Sequence, residues 1–182
     1  LDRYSRDHPR DSIALEVANS TTVIDRLRHG AADLGFIETP SELDGLDEAI
    51  VGHDELVTVV ASSHPWATPR TVPVEALAAT PLVMREAGSG TRAALAAALR
   101  DLGLGEPSAV LELGSTSAVR AAVVHGNSPT VISRLAVAAE VAAGQLVEID
   151  VPGLSVARQL RAVWPAGTAL PSLARELLDD IR

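Results

Sequence analysis

Two glycines, two hydroxyls and two arginines crowd the stretch REAGSGTR, residues 85–92, between an apolar run (PLVM) and an alanine-rich amphipathic one (AALAAALR). Helix beginnings leave backbone N–H groups unpaired and carry partial positive charge, so small anions settle on them. Gly88 and Gly90 let the backbone bend closely around a ligand, Ser89 and Thr91 add hydroxyl donors, and Arg85 or Arg92 supplies a cation. Two readings fit the same letters: a seat for a small anion, or a capped helix behind a glycine turn. A Walker loop is excluded because no lysine follows. A nucleophile elbow is excluded because Ala87 and Thr91 stand where glycines would be needed around Ser89.

Asn19, Ser20 and Thr21 form a second strand-to-helix mouth, and GSTS at 114–117 a third; each also reads as a plain cap. If the mouths at 19–21 and 89–91 belong to different lobes, they face one another across a cleft. HGNSPTVIS brings Ser128 and Pro129 to the start of a strand, at a cleft edge.

Catalytic chemistry finds little support. The five histidines (His8, His29, His53, His64, His125) lie far apart, none at i, i+4 spacing, so no zinc or iron site is expected. His64, before Pro65, reads as a solvated loop residue. Glu86 lies three residues before Ser89, but no histidine stands nearby in sequence to relay a proton. The acidic run ETPSELDGLDE lacks the spacing of a calcium loop and reads as a solvated face. All fifteen basic residues are arginine and there is no cysteine, which removes Schiff-base lysines, thiol catalysis, disulfides and cysteine metal sites together. No catalytic residue, metal or cofactor is expected.

These mouths need an α/β frame, and the periodicity supplies one. Residues 1–7 read as the tail of a helix, SIALEVA (12–18) as a strand, and NSTTVIDRLRHG as a helix stopped by Gly30. DLGFIE and DELVTVVA are strands. A proline-rich segment follows, with one short helix near Glu75–Ala79. Then come the strand PLVMRE, the helix 91–102, the strand AVLEL and the helix STSAVRAAVVHG. The strand TVIS, the helix RLAVAAEVAAG, the strand QLVEI, the two-faced strand VARQLRAVW and the helix SLARELLDDI complete the order. Two βα clusters joined by extended crossings near 56–66 and 152–164 suggest two lobes hinged over a cleft.

With 182 residues, the chain is long enough for proper cores. Its apolar runs are too short to span a bilayer, and no basic, apolar leader opens it. A formal charge of −9, scattered arginines and 2 % aromatic residues speak against direct nucleic-acid binding and against aromatic stacking platforms.

In their succession, YSRDHPRDSIALEVANSTTVIDRLRHGAADLGFIE, ELVTVVASSHPWA, PLVMREAGSGTR, VVHGNSPTVISRLAVAAEVAAGQLVEI and RQLRAVW resemble the effector-binding domain of LysR-type transcriptional regulators. The likeness runs over essentially the whole chain. It is best matched in the branch that includes regulators of sulfur assimilation and carbon fixation. The resemblance implies a periplasmic-binding-protein-like fold of two α/β lobes, each a mixed, mainly parallel sheet flanked by helices, joined by two crossing strands. Lobe I would comprise 1–62 and 156–182, and lobe II 63–155. The family's first strand with its Ser/Thr-bearing loop, and its N-terminal winged helix-turn-helix, have no counterpart in these residues.

By position, a small anionic or zwitterionic inducer would meet Asn19, Ser20 and Thr21 from lobe I and Arg85, Ser89, Gly90 and Thr91 from lobe II, with Ser128 and Pro129 at the rim. Ser128 replaces the family's usual glycine in the G-x-G turn. The resemblance further implies a cytoplasmic homodimer, tetrameric at full length, paired through helices at 21–29 and 135–143. DNA would be read only through the N-terminal domain, and no membrane is involved. The alternatives are an extracytoplasmic solute-binding protein of the same fold, or an enzyme on that scaffold using Glu86.

Overall fold

The computed structural model describes residues 13–181, so the helix expected at 1–7 lies outside the described residues. Helix α1 (Ser20–Arg28) is capped by Asn19, and Gly30 follows at φ +67°, a left-handed conformation that favours glycine. Strand β1 (Gly35–Ile37) leads to the 16-residue β2 (Leu46–Ala61). A 3-10 turn (Pro65–Ala67) and α2 (Val74–Ala79) fill the proline-rich segment. Strand β3 (Leu82–Arg85), helix α3 (Gly90–Asp101), β4 (Ala109–Leu113), α4 (Thr116–His125) and β5 (Thr130–Ser133) come next. Helix α5 (Arg134–Ala142), β6 (Leu146–Ile149), β7 (Val156–Pro165) and α6 (Ser172–Ile181) close the order.

The expected parallel bias of the sheets is corrected. Every pairing in the five-stranded sheet is antiparallel: β1 with β7, and β2 with β5, β6 and β7. Among the described residues, parallel pairing is confined to β3 with β4 and an isolated Thr71–Asp150 bridge. The reason is the route of the chain. It leaves along β2 and returns along β7, so these long central strands oppose each other over ten residue pairs from Leu46–Pro165 to Leu56–Val156, with a bulge between Ile50 and Gly52. Strand β3 joins this frame through a main-chain bond from Val83 N to the carbonyl of Pro129 (2.9 Å).

Alternation along β2 divides its side chains between faces. Leu56 and Val60 enter a core with Leu77, Leu95 and Leu99, whereas Val57 and Val59 enter another with Val119, Val123 and Ile132. At the other end, Leu46 packs with Ile24, Leu27 and Val163, and Ala49 with Ala162 and Leu178. The frame is therefore two-lobed, with β2 and β7 running through both lobes.

Two further expectations are corrected. Residues 13–18 form no strand, and Leu15 and Val17 are 68 % and 91 % exposed. Their alternation is real, but a strand exists only through its ladder, and among the described residues none pairs with them. His64 is not solvated. It is buried, its Nδ1 accepts a hydrogen bond from Trp66 N (3.1 Å), and its ring stands edge-on to Trp66 at 5.2 Å.

Candidate functional site at the lobe seam

The first turn of α1 meets the loop between β3 and α3 directly. Asn19 Oδ1 accepts from Thr22 N (3.0 Å), capping α1, while its Nδ2 donates to Glu86 Oε1 (3.2 Å). Thr21 donates to the carbonyl of Gly88 twice, from its backbone N and its hydroxyl, each at 3.2 Å. One of the orphan amides of α1 is thus satisfied from the opposite lobe. Gly88 has φ +88°, and a Cβ there would lie 3.2 Å from both Asn19 Oδ1 and Thr21 Oγ1. Its glycine answers both constraints. At Gly90 a Cβ would come within 2.8 Å of Glu38 C and Thr39 N, so α3 begins against the backbone that leaves β1.

Arg85 is committed locally. Its Nε and Nη2 donate to Glu86 (2.8 and 3.0 Å), and Nη1 donates to Thr116 Oγ1 (2.9 Å). The Arg85 hydrogen bonds hold the Glu86 carboxyl below its ordinary pKa, against the opposing pull of desolvation and with help from Asn19. Glu86 is accordingly a carboxylate that fastens the seam.

Ser89 occupies the N-cap of α3 and is 3 % exposed, yet its hydroxyl caps no backbone amide. Helices α1, α4 and α5 differ, being capped by Asn19, Ser115 and Ser133. The α3 mouth therefore lacks the side-chain acceptor that normally quiets a helix start.

Beside this mouth opens a cavity of about 760 Å³ whose walls include Glu38, Asp54, Arg158, Ala94, Ala97 and Leu154. Arg158, on β7, is its hub. Nε and Nη2 donate to Asp54 Oδ2 (2.9 and 2.6 Å), and Nη1 reaches Thr91 Oγ1 (3.0 Å) and Glu38 Oε2 (2.6 Å). Asp54 Oδ1 in turn accepts from Ser133 Oγ (3.0 Å). The Arg158 and Asp54 side chains are 6 % and 2 % exposed, so each is tolerable only because the other is present.

The structure brings Asn19 and Thr21 to Glu86 and Gly88, Ser20 Oγ to Glu38 N (3.5 Å), Gly90 to the 38–39 backbone, and Thr91 to Arg158. Ser128 and Pro129 lie beside β3, where the Pro129 carbonyl is taken by Val83; among the described contacts, no hydrogen bond joins them to Asn19–Thr21. None of the nine residues singled out from the sequence lines the cavity itself. Sequence reasoning missed Glu38, Asp54 and Arg158. One signal was available: Arg158 shares a strand face with Leu160 and Ala162, and a charge on an apolar face demands a partner. Among the described residues, no group of three or more His, Cys, Asp or Glu is placed to hold a metal ion, and no helix is long and apolar enough to cross a membrane.

Two α/β lobes joined by paired crossing strands, with helix starts meeting at the seam, define a ligand-binding domain of the periplasmic-binding-protein kind. The chain belongs to the LysR substrate binding domain family, whose model matches residues 1–182. It is 49 % identical over 175 residues to an uncharacterised HTH-type transcriptional regulator of Mycobacterium tuberculosis, covering 93 % of this chain and 56 % of that protein. It is 28 % identical to the HTH-type transcriptional activator CmpR of Synechocystis, covering 98 % and 59 %. The chain thus spans little more than half the length of these relatives. Among solved structures, the Synechocystis CcmR regulatory domain in complex with 2-PG superposes with a TM-score of 0.85 at 26 % identity, covering 99 % of this chain and 86 % of that one. These relatives are transcriptional regulators, which sets aside the solute-binding alternative.

Proposed function

We propose that this domain senses a small anionic or zwitterionic metabolite at the seam between its lobes and relays occupancy to a DNA-binding domain in the complete regulator. The observation that carries this reading is the meeting of the two helix starts: Asn19 and Thr21 bond Glu86 and Gly88, while the neighbouring α3 mouth has no side-chain cap. An effector that competes for those donors changes how firmly the lobes are fastened. A coupling of roughly 1–3 kcal/mol is enough for such regulation. In this reading lobe I is built on residues 1–62 and 156–182 and lobe II on residues 63–155, with Leu56, Val60 and Val156 of β2 and β7 reaching into the core of lobe II; the protein works in the cytoplasm, and it acts by binding, not turnover. Two copies pair through α1 and α5, and Leu135 on α5, 69 % exposed, supplies apolar surface for that contact.

The complex of a related regulatory domain with 2-PG makes phosphorylated C2 acids natural first probes. In a thermal-shift and calorimetric screen of sulfate, phosphate, 2-phosphoglycolate and O-acetylserine, a true effector at 100 times its Kd stabilises the protein by about 2.7 kcal/mol. Asn19→Ala and Ser89→Ala weaken that ligand. A panel without any stabilising member, or a stabilising ligand indifferent to both substitutions, refutes the assignment.

A further inference from the structure

Arg158 carries one positive charge and meets two carboxylates. Asp54 is buried with it, takes two of its donors and is itself held by Ser133 Oγ, so that pair is self-contained. Glu38 is a second carboxylate on the same cation, its Oε2 2.6 Å from Nη1, and its side chain is 43 % exposed. The atom it occupies is the one that also donates to Thr91 Oγ1, at the start of α3. The cavity opens at this point, with Ala94, Ala97, Ala98, Leu102 and Leu154 forming an apolar wall.

We infer that Glu38 is a built-in stand-in for the anionic group of a ligand, and that Arg158 Nη1, which also donates to Thr91 Oγ1, is the anchor the ligand takes over. The charge balance favours exchange over simple addition. Replacing Glu38 by an incoming anion leaves the number of charges around the buried guanidinium unchanged and returns a half-exposed carboxylate to water. The fitting ligand carries a carboxylate, sulfate or phosphate on a short, partly apolar skeleton. Its charged end lies on Arg158 and its skeleton against the alanines of α3. Glu38 leaves β1 where the backbone packs on Gly90, so the exchange also removes an ionic tie between β1 and β7.

This assignment rests on the seam being the effector site, and it adds a residue-level competitor that the seam reading does not need. The test titrates sulfate and phosphate into the full chain and its Glu38→Gln variant by calorimetry. Glu38→Gln, a change at a half-exposed side chain, binds at least tenfold more tightly than the wild type. Arg158→Lys keeps the charge opposite Asp54, and so the fold, but loses the planar fork; placed in the Glu38→Gln background, it abolishes the gain. Ala97→Phe, which crowds the α3 wall of the cavity, weakens 2-phosphoglycolate more than sulfate. Equal affinity in Glu38→Gln and wild type overturns the inference, as does a gain that survives Arg158→Lys or no anion binding by Glu38→Gln at all. Binding that responds to Asn19→Ala and Ser89→Ala but ignores Glu38→Gln leaves the seam reading standing and removes the stand-in role alone.

Discussion

His64 shows how a single side chain sets a condition on the fold. Burial lowers its pKa, and its Nδ1 serves as the acceptor that starts the 3-10 turn at Pro65. The folded state therefore holds the neutral ring, whereas the unfolded chain takes up a proton below about 6.5. The stability this ring contributes is present above that value and lost as the pH falls toward the lower folded pKa. Thermal midpoints between pH 8 and 5.5 should drop more steeply in the wild type than in His64→Asn, whose amide oxygen can still cap the turn. Parallel curves would remove His64 from the account. At this scale the sequence was legible where a residue acts on its own neighbours. Asn19 and Ser115 cap helices that begin beside them, and their letters announce it. Arg158, Asp54 and Glu38 are separated by up to 120 positions and converge only because β7 pairs with both β2 and β1, which no local spacing encodes. His64 was misjudged for a related reason: what buries it is tertiary, whereas its proline neighbour suggested an open loop.

Helices α1, α3 and α5 divide the work of the molecule among them. The starts of α1 and α3 meet at the seam, and α5 begins at Ser133, whose hydroxyl both caps Ala136 N (3.3 Å) and donates to Asp54 (3.0 Å). Leu135, one residue into α5, points outward with 69 % of its surface exposed. In the proposed pairing a partner copy covers it, a burial worth about 1.5–3 kcal/mol. Leu135→Glu should weaken self-association of the full chain by at least tenfold in sedimentation equilibrium while leaving its circular dichroism unchanged; an unaltered association constant would place the dimer contact elsewhere. Helices were the most readable elements, because cap, stripe and stop lie in one contiguous run: 20–28, 90–101 and 134–142 fall within two residues of the expected bounds. Strands were read less evenly. DELVTVVA proved to be the second half of the longer β2, whose first half pairs with β7 but carries no clean alternation, Asp47 and Glu48 being consecutive and both exposed, and SIALEVA shows a strand pattern without a ladder.

At the scale of the whole molecule, the two-lobed α/β frame was legible from the order of βα units, but the direction of strand pairing was not. Periodicity tells which face of a strand is apolar and says nothing about which way its neighbour runs. The antiparallel β2–β7 pair follows from the outward and return path of the chain, a fact of route and not of pattern. That pair has a thermodynamic corollary. Strand β2 gives Leu56, Val57, Val59 and Val60 to the cores at one end and Leu46 and Ala49 to those at the other. Melting either end frays the timber that the other is nailed to. Heat should therefore take the domain apart in one calorimetric step, with matching van't Hoff and calorimetric enthalpies; two resolved peaks would mean that each half carries its own keel. For a sensor of the proposed kind this is useful economy: a guest gripped at the seam would stiffen both halves at once, because they share one keel.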